Sequence, residues 1–343
     1  MDDSTAHSPG SSQAISFLAD IRFHRVLWLP PSPENGRPSS LRVTYSDLGA
    51  QDGEVLLVCG GLYGSRYTLA QADKLAKKRG VRLITPDKPG VGGTEPVDIN
   101  QKVKAWFDIV QALVKRLDLK HVAFLGHSSG AIYILNSLLH LRHLMHQTRP
   151  YAALFTPWVL PSHSEAATPA IASMLPNWAI HKWYETSHFL SRNDITPNLG
   201  PSTARPGVKM DTDGMTKAID EKIMEYALLE DVEGVCQEAL FCLKRGGESA
   251  WGSWRDYDEY IPLLKQQESG RGGASKIELD VFLAETDNSS GERGSQWFDG
   301  LWKGEAGDWI RYSSSTVPGT THETIMRMES GALGSVFERI TTA

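Results

Sequence analysis

The sequence has little of the chemistry that marks several large protein classes. Its 343 residues include only three cysteines, Cys59, Cys236 and Cys242, and no CxxC pair. So few cysteines, in an odd number, exclude a disulfide framework and are typical of buried thiols in a reducing compartment. The formal net charge is -6, and no long block carries one sign. Because nucleic-acid binders usually carry a basic patch, we expect no nucleic-acid partner.

Long apolar segments are also missing. No uninterrupted apolar run reaches the roughly 18 residues that a membrane-spanning helix needs. The N-terminus lacks the basic start and the apolar core of a secretory signal. The sequence therefore predicts a soluble, cytoplasmic protein with no membrane partner. Residues 1–14 are polar, and we expect them to be disordered.

The middle of the chain alternates between apolar segments and segments with helical spacing. The apolar segments are typical of strands covered on both faces, and they are residues 55–59, 81–85, 121–125 and 151–155. The segments with helical spacing are residues 69–79, 101–117 and 131–144. Because right-handed crossovers join such strands, the sequence predicts an α/β fold with a mostly parallel, twisted sheet and helices on both faces. Residues 23–29 and 41–45 predict an antiparallel pair before it.

The strand pattern stops at Pro161. The segment that follows predicts helices instead, notably over residues 215–229 and 233–244, and a loop near residues 193–206. Two strands and a final helix are predicted after it, at residues 277–284, 309–317 and 332–340. The sequence therefore predicts one α/β core, residues 15–160 and 263–343, which is interrupted by a helical insertion, residues 161–262.

A catalytic pattern stands between the third of these strands and the helix after it. Residues 126–130, Gly-His-Ser-Ser-Gly, fit G-x-S-x-G. In this pattern a sharp strand-to-helix turn holds the serine in a strained conformation and exposes its hydroxyl at the carboxyl edge of the sheet. Ser128 is therefore the candidate nucleophile, and a tight turn with no catalytic role is the alternative. His127, inside the turn, lines the pocket or packs.

From about residue 40 onward the chain resembles the α/β-hydrolase superfamily, in particular esterase-like members with a helical cap inserted after strand 6. The resemblance implies the α/β-hydrolase fold and makes residues 161–262 the cap, or lid. It implies acyl transfer from a small-molecule substrate to water through an acyl-enzyme, with no metal and no organic cofactor. A serine at the turn differs from the aspartate that the haloalkane dehalogenases and epoxide hydrolases of this fold use.

The resemblance also implies an oxyanion hole. Residues 59–65 follow a strand, precede a helix, and resemble the H-G-x-x-G loop, with Gly60 where histidine commonly stands. In this loop, glycines such as Gly61 let the backbone approach the carbon under attack. The resemblance assigns the two N–H donors to Leu62 and Ser129. A plain turn is the alternative.

The Tyr63 hydroxyl either points at the substrate or packs. Residues 87–94 resemble the superfamily's D-x-P/R-G-x-G-x-S loop, which we interpret as structural, because the segment lacks the full fingerprint of a phosphate-binding loop.

The acid and the base follow the nucleophile in the chain order of the superfamily, which is Ser, then Asp or Glu, then His. Asp287 lies after a strand in a segment that resembles the G-x-x-D turn, and Glu285 is the alternative acid. His322 is the only one of the eleven histidines in the last third of the chain. The resemblance makes His322 the base, and an exposed loop histidine is the alternative.

Other residues have ordinary explanations. His140, His143 and His146 recur every third residue, but no Asp, Glu or Cys accompanies them closely, so we expect a solvated helix face and no metal. Several tryptophans lie in or at the entrance of the insertion: Trp158, Trp178, Trp183, Trp251 and Trp254. They either pack the cap on the core or wall a pocket, which suggests a rather apolar or bulky substrate group.

The sequence leaves the reaction open within one class. A thioesterase, a lactonase, a C–C bond hydrolase or an acyltransferase would use the same three residues as a carboxylic ester hydrolase. A ligand-binding protein that lost turnover, or a capped fold that serves as an interaction surface, are alternatives of a different class. The oligomeric state is unknown.

Overall fold

A computed structural model describes residues 9–182, 214–229, 232–271 and 275–342. Within them, eight strands form one sheet in the order β1-β2-β4-β3-β5-β6-β7-β8. The strands are β1 (Arg25–Leu29), β2 (Leu41–Gly49), β3 (Glu54–Cys59), β4 (Val81–Pro86), β5 (Ala123–His127), β6 (Tyr151–Phe155), β7 (Ile277–Thr286) and β8 (Ile310–Thr321). Strand β2 is antiparallel to β1 and β4, and all other neighbours are parallel. The predicted fold class is confirmed.

Helices cover both faces of the sheet. Those of the described residues are α1 (Pro9–Leu18), α2 (Asp73–Arg79), α3 (Lys102–Arg116), α4 (Gly130–His140), α5 (Ala167–Met174), α6 (Gly214–Leu229), α7 (Val232–Cys242), α8 (Tyr257–Ser269), α9 (Gly291–Glu305) and α10 (Ala332–Thr341). One core cluster joins the sheet to α3, α4, α8 and α9, with Trp106 and Trp302 fully buried in it. A second cluster joins the sheet to α1, α2 and α10 through Leu18 and Phe337. Strand β6 is buried at every position because it lies between these two layers.

The expected disorder of residues 1–14 is wrong for the described part of that segment. Helix α1 begins at Pro9, where proline is favoured because the first helical N–H needs no partner. Ala14 and Leu18 lie one turn apart on one face and are fully buried beside Phe23. Residues 1–8 lie outside the described residues.

The segment between β6 and β7 contains no strand in its described part, and the two helices predicted there are confirmed as α6 and α7. The predicted loop near residues 193–206 and Trp183 lie outside the described residues. The expected boundary between residues 262 and 263 falls inside α8, which continues through Pro262.

Residues 250–262 contact both the core and the insertion, since Trp251 donates its indole N–H to the Phe241 carbonyl of α7 at 2.8 Å. Trp254 is fully buried and donates its indole N–H to Asn136 of α4 at 3.1 Å, and Tyr260 donates its hydroxyl to the Leu135 carbonyl at 2.8 Å. The extent of the cap, residues 161–262, stays a prediction.

The carboxyl ends of the parallel strands bring distant segments together. The predicted oxyanion loop follows β3, Ser128 follows β5, Asp287 follows β7, and His322 follows β8. Ligands of open α/β sheets bind at this edge.

Candidate active site

The turn from β5 to α4 is strained at Ser128. Its φ is +50°, in the left-handed region that side-chain-bearing residues rarely adopt. A Cβ added at Gly126 would lie 3.0 Å from the backbone of Ala131, and one at Gly130 would overlap the carbonyl oxygen of Cys59. Gly130 therefore requires glycine, and Gly126 leaves room for a side chain only at a tight contact. The turn thus has the geometry of a nucleophile elbow.

The three candidate catalytic side chains form one chain of hydrogen bonds. Nε2 of His322 lies 2.9 Å from Oγ of Ser128, and Nδ1 lies 2.9 Å from Oδ1 of Asp287. Ser128 and His322 are 7% and 5% exposed. The structure therefore brings together side chains that lie up to 194 positions apart in the sequence.

The two candidate acids have different surroundings. Oδ1 of Asp287 accepts from His322 and also from the backbone N–H groups of Ser289 and Ser290, both at 2.8 Å. Glu285 is exposed, and its carboxylate accepts from the Gly319 N–H at 2.9 Å. The geometry thus brings Asp287, and not Glu285, to the imidazole.

The electrostatics of His322 and Asp287 favour an ion pair between the two side chains. Burial opposes protonation of His322, but the hydrogen bond and charge of Asp287 outweigh it and raise the histidine pKa above its usual range. Burial likewise opposes ionisation of Asp287, and His322 outweighs it, so that the pKa of the carboxyl is lowered. The arrangement stabilises an imidazolium, which is the form a general base takes once it has accepted a proton.

His127 holds the loop that carries the candidate base. Its Nε2–H donates to the backbone carbonyl of His322 at 3.0 Å, and the two rings lie 5.3 Å apart. Burial, together with the charge of His322, lowers the pKa of His127 to about 3, so that it stays neutral. These contacts agree with the interpretation of His127 as a residue that packs beside the site.

The predicted oxyanion loop lies against the elbow. A Cβ added at Gly61 would be 3.1 Å from Cβ of Ser128, so glycine permits this approach. Among the described residues, the backbone N–H groups of Leu62 and Ser129 donate to no protein acceptor. The Leu62 side chain packs against an apolar cluster of the insertion, and Tyr63 is half-buried.

The segment from residue 87 onward anchors this loop. Asp87 is fully buried and accepts from the Arg66 N–H at 2.5 Å, the Arg66 guanidinium at 2.8 Å and the Thr44 hydroxyl at 2.5 Å. Asp87 also accepts from the Gly93 N–H at 3.1 Å. These are the contacts of a structural anchor, as the sequence indicated.

A buried cluster of charged residues lies beneath the loop, and no sequence pattern predicts it. Lys88, Lys102 and Glu238 are all fully buried, and each lysine Nζ lies 3.2 Å from an oxygen of the glutamate. We call this set the Lys–Glu cluster. Its members lie in a loop, in α3 and in α7, and no local pattern could have indicated that they meet.

The candidate metal-binding histidines and the three cysteines have contacts that are typical of structural residues. Within the described residues, no three His, Cys, Asp or Glu side chains converge as metal ligands would. Nδ1 of His146 accepts from the Thr148 N–H at 3.2 Å, and its ring contacts that of His121. The three cysteines are buried and unpaired by disulfides.

The tryptophans of the insertion differ in exposure. Trp178 is 71% exposed, whereas Trp251 is fully buried in the core.

In the part of the chain that the structure describes, no helix combines the length and the apolarity needed to cross a membrane. The cytoplasmic location stays a prediction.

Known proteins resemble this chain mainly in fold. A thermophilic esterase from Thermogutta terrifontis is 16% identical, with a TM-score of 0.58 over 93% of this chain and 100% of that chain. A hydrolase from Pseudomonas aeruginosa is 14% identical, with a TM-score of 0.57 over 93% and 99%. A bromoperoxidase from Bacillus anthracis is 12% identical, with a TM-score of 0.59 over 91% and 98%. No curated protein matches the sequence.

A family model identifies the chain more directly than these folds do. The model, described as the alpha/beta hydrolase family, matches residues 55–332, which include the elbow, both candidate acids and the candidate base. The chain therefore belongs to the alpha/beta hydrolase family.

Proposed function

We propose that this protein is a serine hydrolase that cleaves a carboxylic ester, or a related acyl bond, of a small and rather apolar substrate. The observation that carries the proposal is the hydrogen-bonded chain from Ser128 through His322 to Asp287, with 2.9 Å at each step. A serine hydroxyl needs such a neighbour, because it is a weak nucleophile until a base takes its proton.

In the first half of the reaction, Oγ of Ser128 attacks the substrate carbonyl carbon while Nε2 of His322 takes the hydroxyl proton. Asp287 stabilises the imidazolium that forms. The bond between the carbonyl carbon and the alcohol oxygen then breaks, and His322 gives its proton to that oxygen. The acyl group remains on Ser128 as an ester.

In the second half, water takes the place of the alcohol. His322 accepts a proton from a water molecule as the oxygen of that water adds to the acyl carbon. The bond to Oγ then breaks, the carboxylic acid leaves, and the proton returns to Ser128. No cofactor is needed for either half.

Charge develops on the carbonyl oxygen in both halves. We assign its stabilisation to the N–H groups of Leu62 and Ser129, which have no other acceptor among the described residues. Each such donor contributes about 3–4 kcal/mol of transition-state stabilisation. A basic group that accepts the proton and two donors that hold the oxyanion are the elements that acyl transfer requires.

The insertion serves as a cap in this proposal. Its residues Ile180, Ala239 and Leu240 form an apolar cluster against which Leu62 of the oxyanion loop packs. This contact supports an insertion that lies over the site, and its apolar lining favours an apolar acyl or alcohol group. The esterase among the structures of similar fold is consistent with an ester substrate.

The experiment is a substrate panel. Purified protein and a Ser128→Ala variant are assayed against p-nitrophenyl esters of increasing acyl length, thioesters and lactones. The proposal predicts turnover of at least one ester series by the wild type and none above background by the variant.

Faster turnover of thioesters or lactones would reassign the substrate class while keeping the mechanism. Equal activity of the two proteins would exclude Ser128 as the nucleophile, and no activity on any acyl substrate would favour a ligand-binding protein. Either result would contradict the proposal.

A further inference from the structure

The oxyanion loop lacks the histidine that commonly begins it, and a different side chain holds its backbone. Nζ of Lys88 donates to the carbonyl oxygen of Gly60 at 2.9 Å and also to that of Gly61. The Gly61 carbonyl belongs to the same peptide group as the N–H of Leu62. The ammonium group therefore binds one end of a peptide whose other end is a proposed oxyanion donor.

The Lys–Glu cluster also reaches the second proposed donor residue. Oε1 of Glu238 lies 3.2 Å from Nζ of Lys88 and accepts from the Ser129 hydroxyl at 3.3 Å. Oε2 accepts from the Tyr133 hydroxyl at 2.9 Å and from Nζ of Lys102 at 3.2 Å. One carboxylate thus contacts residues on both sides of the proposed oxyanion site.

The charges of the cluster suit this position. Burial opposes ionisation of Glu238, but the charges of Lys88 and Lys102 outweigh it and lower the pKa of the carboxyl. An ionised Glu238 therefore holds the ammonium group of Lys88 by charge as well as by contact. Of the two lysines, Lys88 donates to the oxyanion loop, whereas Lys102 donates to the Pro89 carbonyl.

Close packing of α7 on the loop after β4 keeps the glutamate within reach. Gly234 of α7 faces Gly90, and a Cβ added at Gly234 would overlap the carbonyl oxygen of Gly90. Glycine at both positions lets the two backbones meet. The position of Glu238, one turn further along α7, follows from that contact.

We propose that Lys88 is a positioning residue for the hydrolytic reaction, in that its ammonium group orients and polarises the Gly61–Leu62 peptide, and that Glu238 holds the ammonium group in place. The inference rests on the function proposed above. A hydrogen bond to a peptide carbonyl strengthens the N–H of the same peptide as a donor. Because that donor acts mainly on the charge of the transition state, its loss lowers kcat and leaves KM unchanged.

The test compares Lys88→Met with Lys102→Met. Both lysines are fully buried and lie equally far from Glu238, but Lys102 donates to the Pro89 carbonyl at 2.6 Å rather than to the oxyanion loop. The two variants therefore each remove one buried lysine from the same cluster and differ in the backbone group that they release.

Active sites are titrated with a fluorophosphonate, and kcat and KM are measured per titrated site on the best ester. We expect kcat of Lys88→Met to fall about a hundredfold, as for a lost oxyanion donor, with KM within about threefold. Lys102→Met should stay within about threefold of the wild type in both constants. A merely structural role would reduce the titrated fraction and leave kcat per site alike in both variants, and that result would overturn the inference.

A second variant covers the case in which Lys88→Met does not fold. Glu238→Gln keeps the shape of the side chain but removes the charge that pairs with both lysines, whereas Lys102→Met removes only one pairing. We expect kcat per titrated site to be at least about tenfold lower in Glu238→Gln than in Lys102→Met. Equal values would overturn the inference. A wild-type protein that is neither titrated nor active would instead refute the proposed function, and the inference with it.

Discussion

Replacing Asp287 by asparagine separates the charge of the proposed acid from its hydrogen-bond geometry. Oδ1 accepts from His322 and from two backbone N–H groups, those of Ser289 and Ser290. Oδ2 has no hydrogen-bond partner among the described residues. Because the two fixed N–H groups require an acceptor, the asparagine amide should keep its oxygen at the Oδ1 position. His322 then keeps its proton on Nδ1 and its free base on Nε2.

The expected loss follows from what this substitution leaves in place. In serine hydrolases where asparagine reverses the histidine tautomer, kcat falls about ten-thousandfold. Here the tautomer is retained, and only the charge is lost. At an effective dielectric constant of about 20, two unit charges about 4 Å apart attract by about 4 kcal/mol. The neutral amide oxygen keeps part of this attraction to the imidazolium. We therefore expect the transition state to lose about 2–3 kcal/mol of stabilisation, or about a hundredfold in kcat.

The assay is the pH profile of kcat/KM for the wild type, Asp287→Asn and Asp287→Ala. His322 must be neutral to act as a base, so activity falls as the pH drops through its pKa. Asp287 holds that pKa above the usual value of 6.5, so the acid limb of the wild type should lie above pH 6.5. Without the carboxylate charge the limb should move to lower pH. A ten-thousandfold loss in Asp287→Asn, equal to that in Asp287→Ala, would mean that the tautomer is not retained. An unmoved acid limb would mean that the carboxylate does not raise the pKa of His322.

Three further outcomes are expected. Alanine in place of Ser128 or His322 should each lower kcat about ten-thousandfold or more at an unchanged melting temperature, since neither is part of the core; a loss below a hundredfold would contradict their roles. Glu285→Ala should keep kcat within about twofold, and a severe loss would transfer the role of acid to Glu285. Gly130→Ala should lower the free energy of unfolding in urea by about 2–3 kcal/mol, because the added Cβ meets the Cys59 carbonyl; an unchanged midpoint would contradict the packing of the elbow.

The strands and the candidate nucleophile could be predicted because their signals are local. A strand buried on both faces is apolar at every position, as β6 is, and a nucleophile elbow leaves two glycines around one serine. In both cases a few neighbouring residues contain the information. The candidate acid and base follow instead from the chain order of the family.

The elements that were missed have weak or misleading local patterns. Helix α9 contains glycines at positions 294, 300 and 304, which lower helix propensity, although Phe298 and Trp302 recur one turn apart and are fully buried. The proline inside α8 suggests a boundary, yet burial of Tyr257 and Tyr260 stabilises one continuous helix. Tertiary packing outweighs propensity in both helices.

The Lys–Glu cluster could not be predicted for a different reason. A lysine in a loop and a glutamate on a helix are ordinarily solvated, and their spacing carries no signal. Lys88 and Glu238 meet only because α7 folds back onto the loop after β4, 150 positions earlier in the chain. Long-range contacts between charged residues depend on the whole fold.

The proposed role of Ser128 as nucleophile is tested most directly by the site at which a fluorophosphonate reacts. The protein is incubated with the reagent, and intact mass and peptide mapping locate the adduct. We expect one adduct per chain, on Ser128, and none in His322→Ala over the same time. An unmodified wild-type protein, or an adduct on another residue with Ser128 untouched, would exclude Ser128 as the nucleophile.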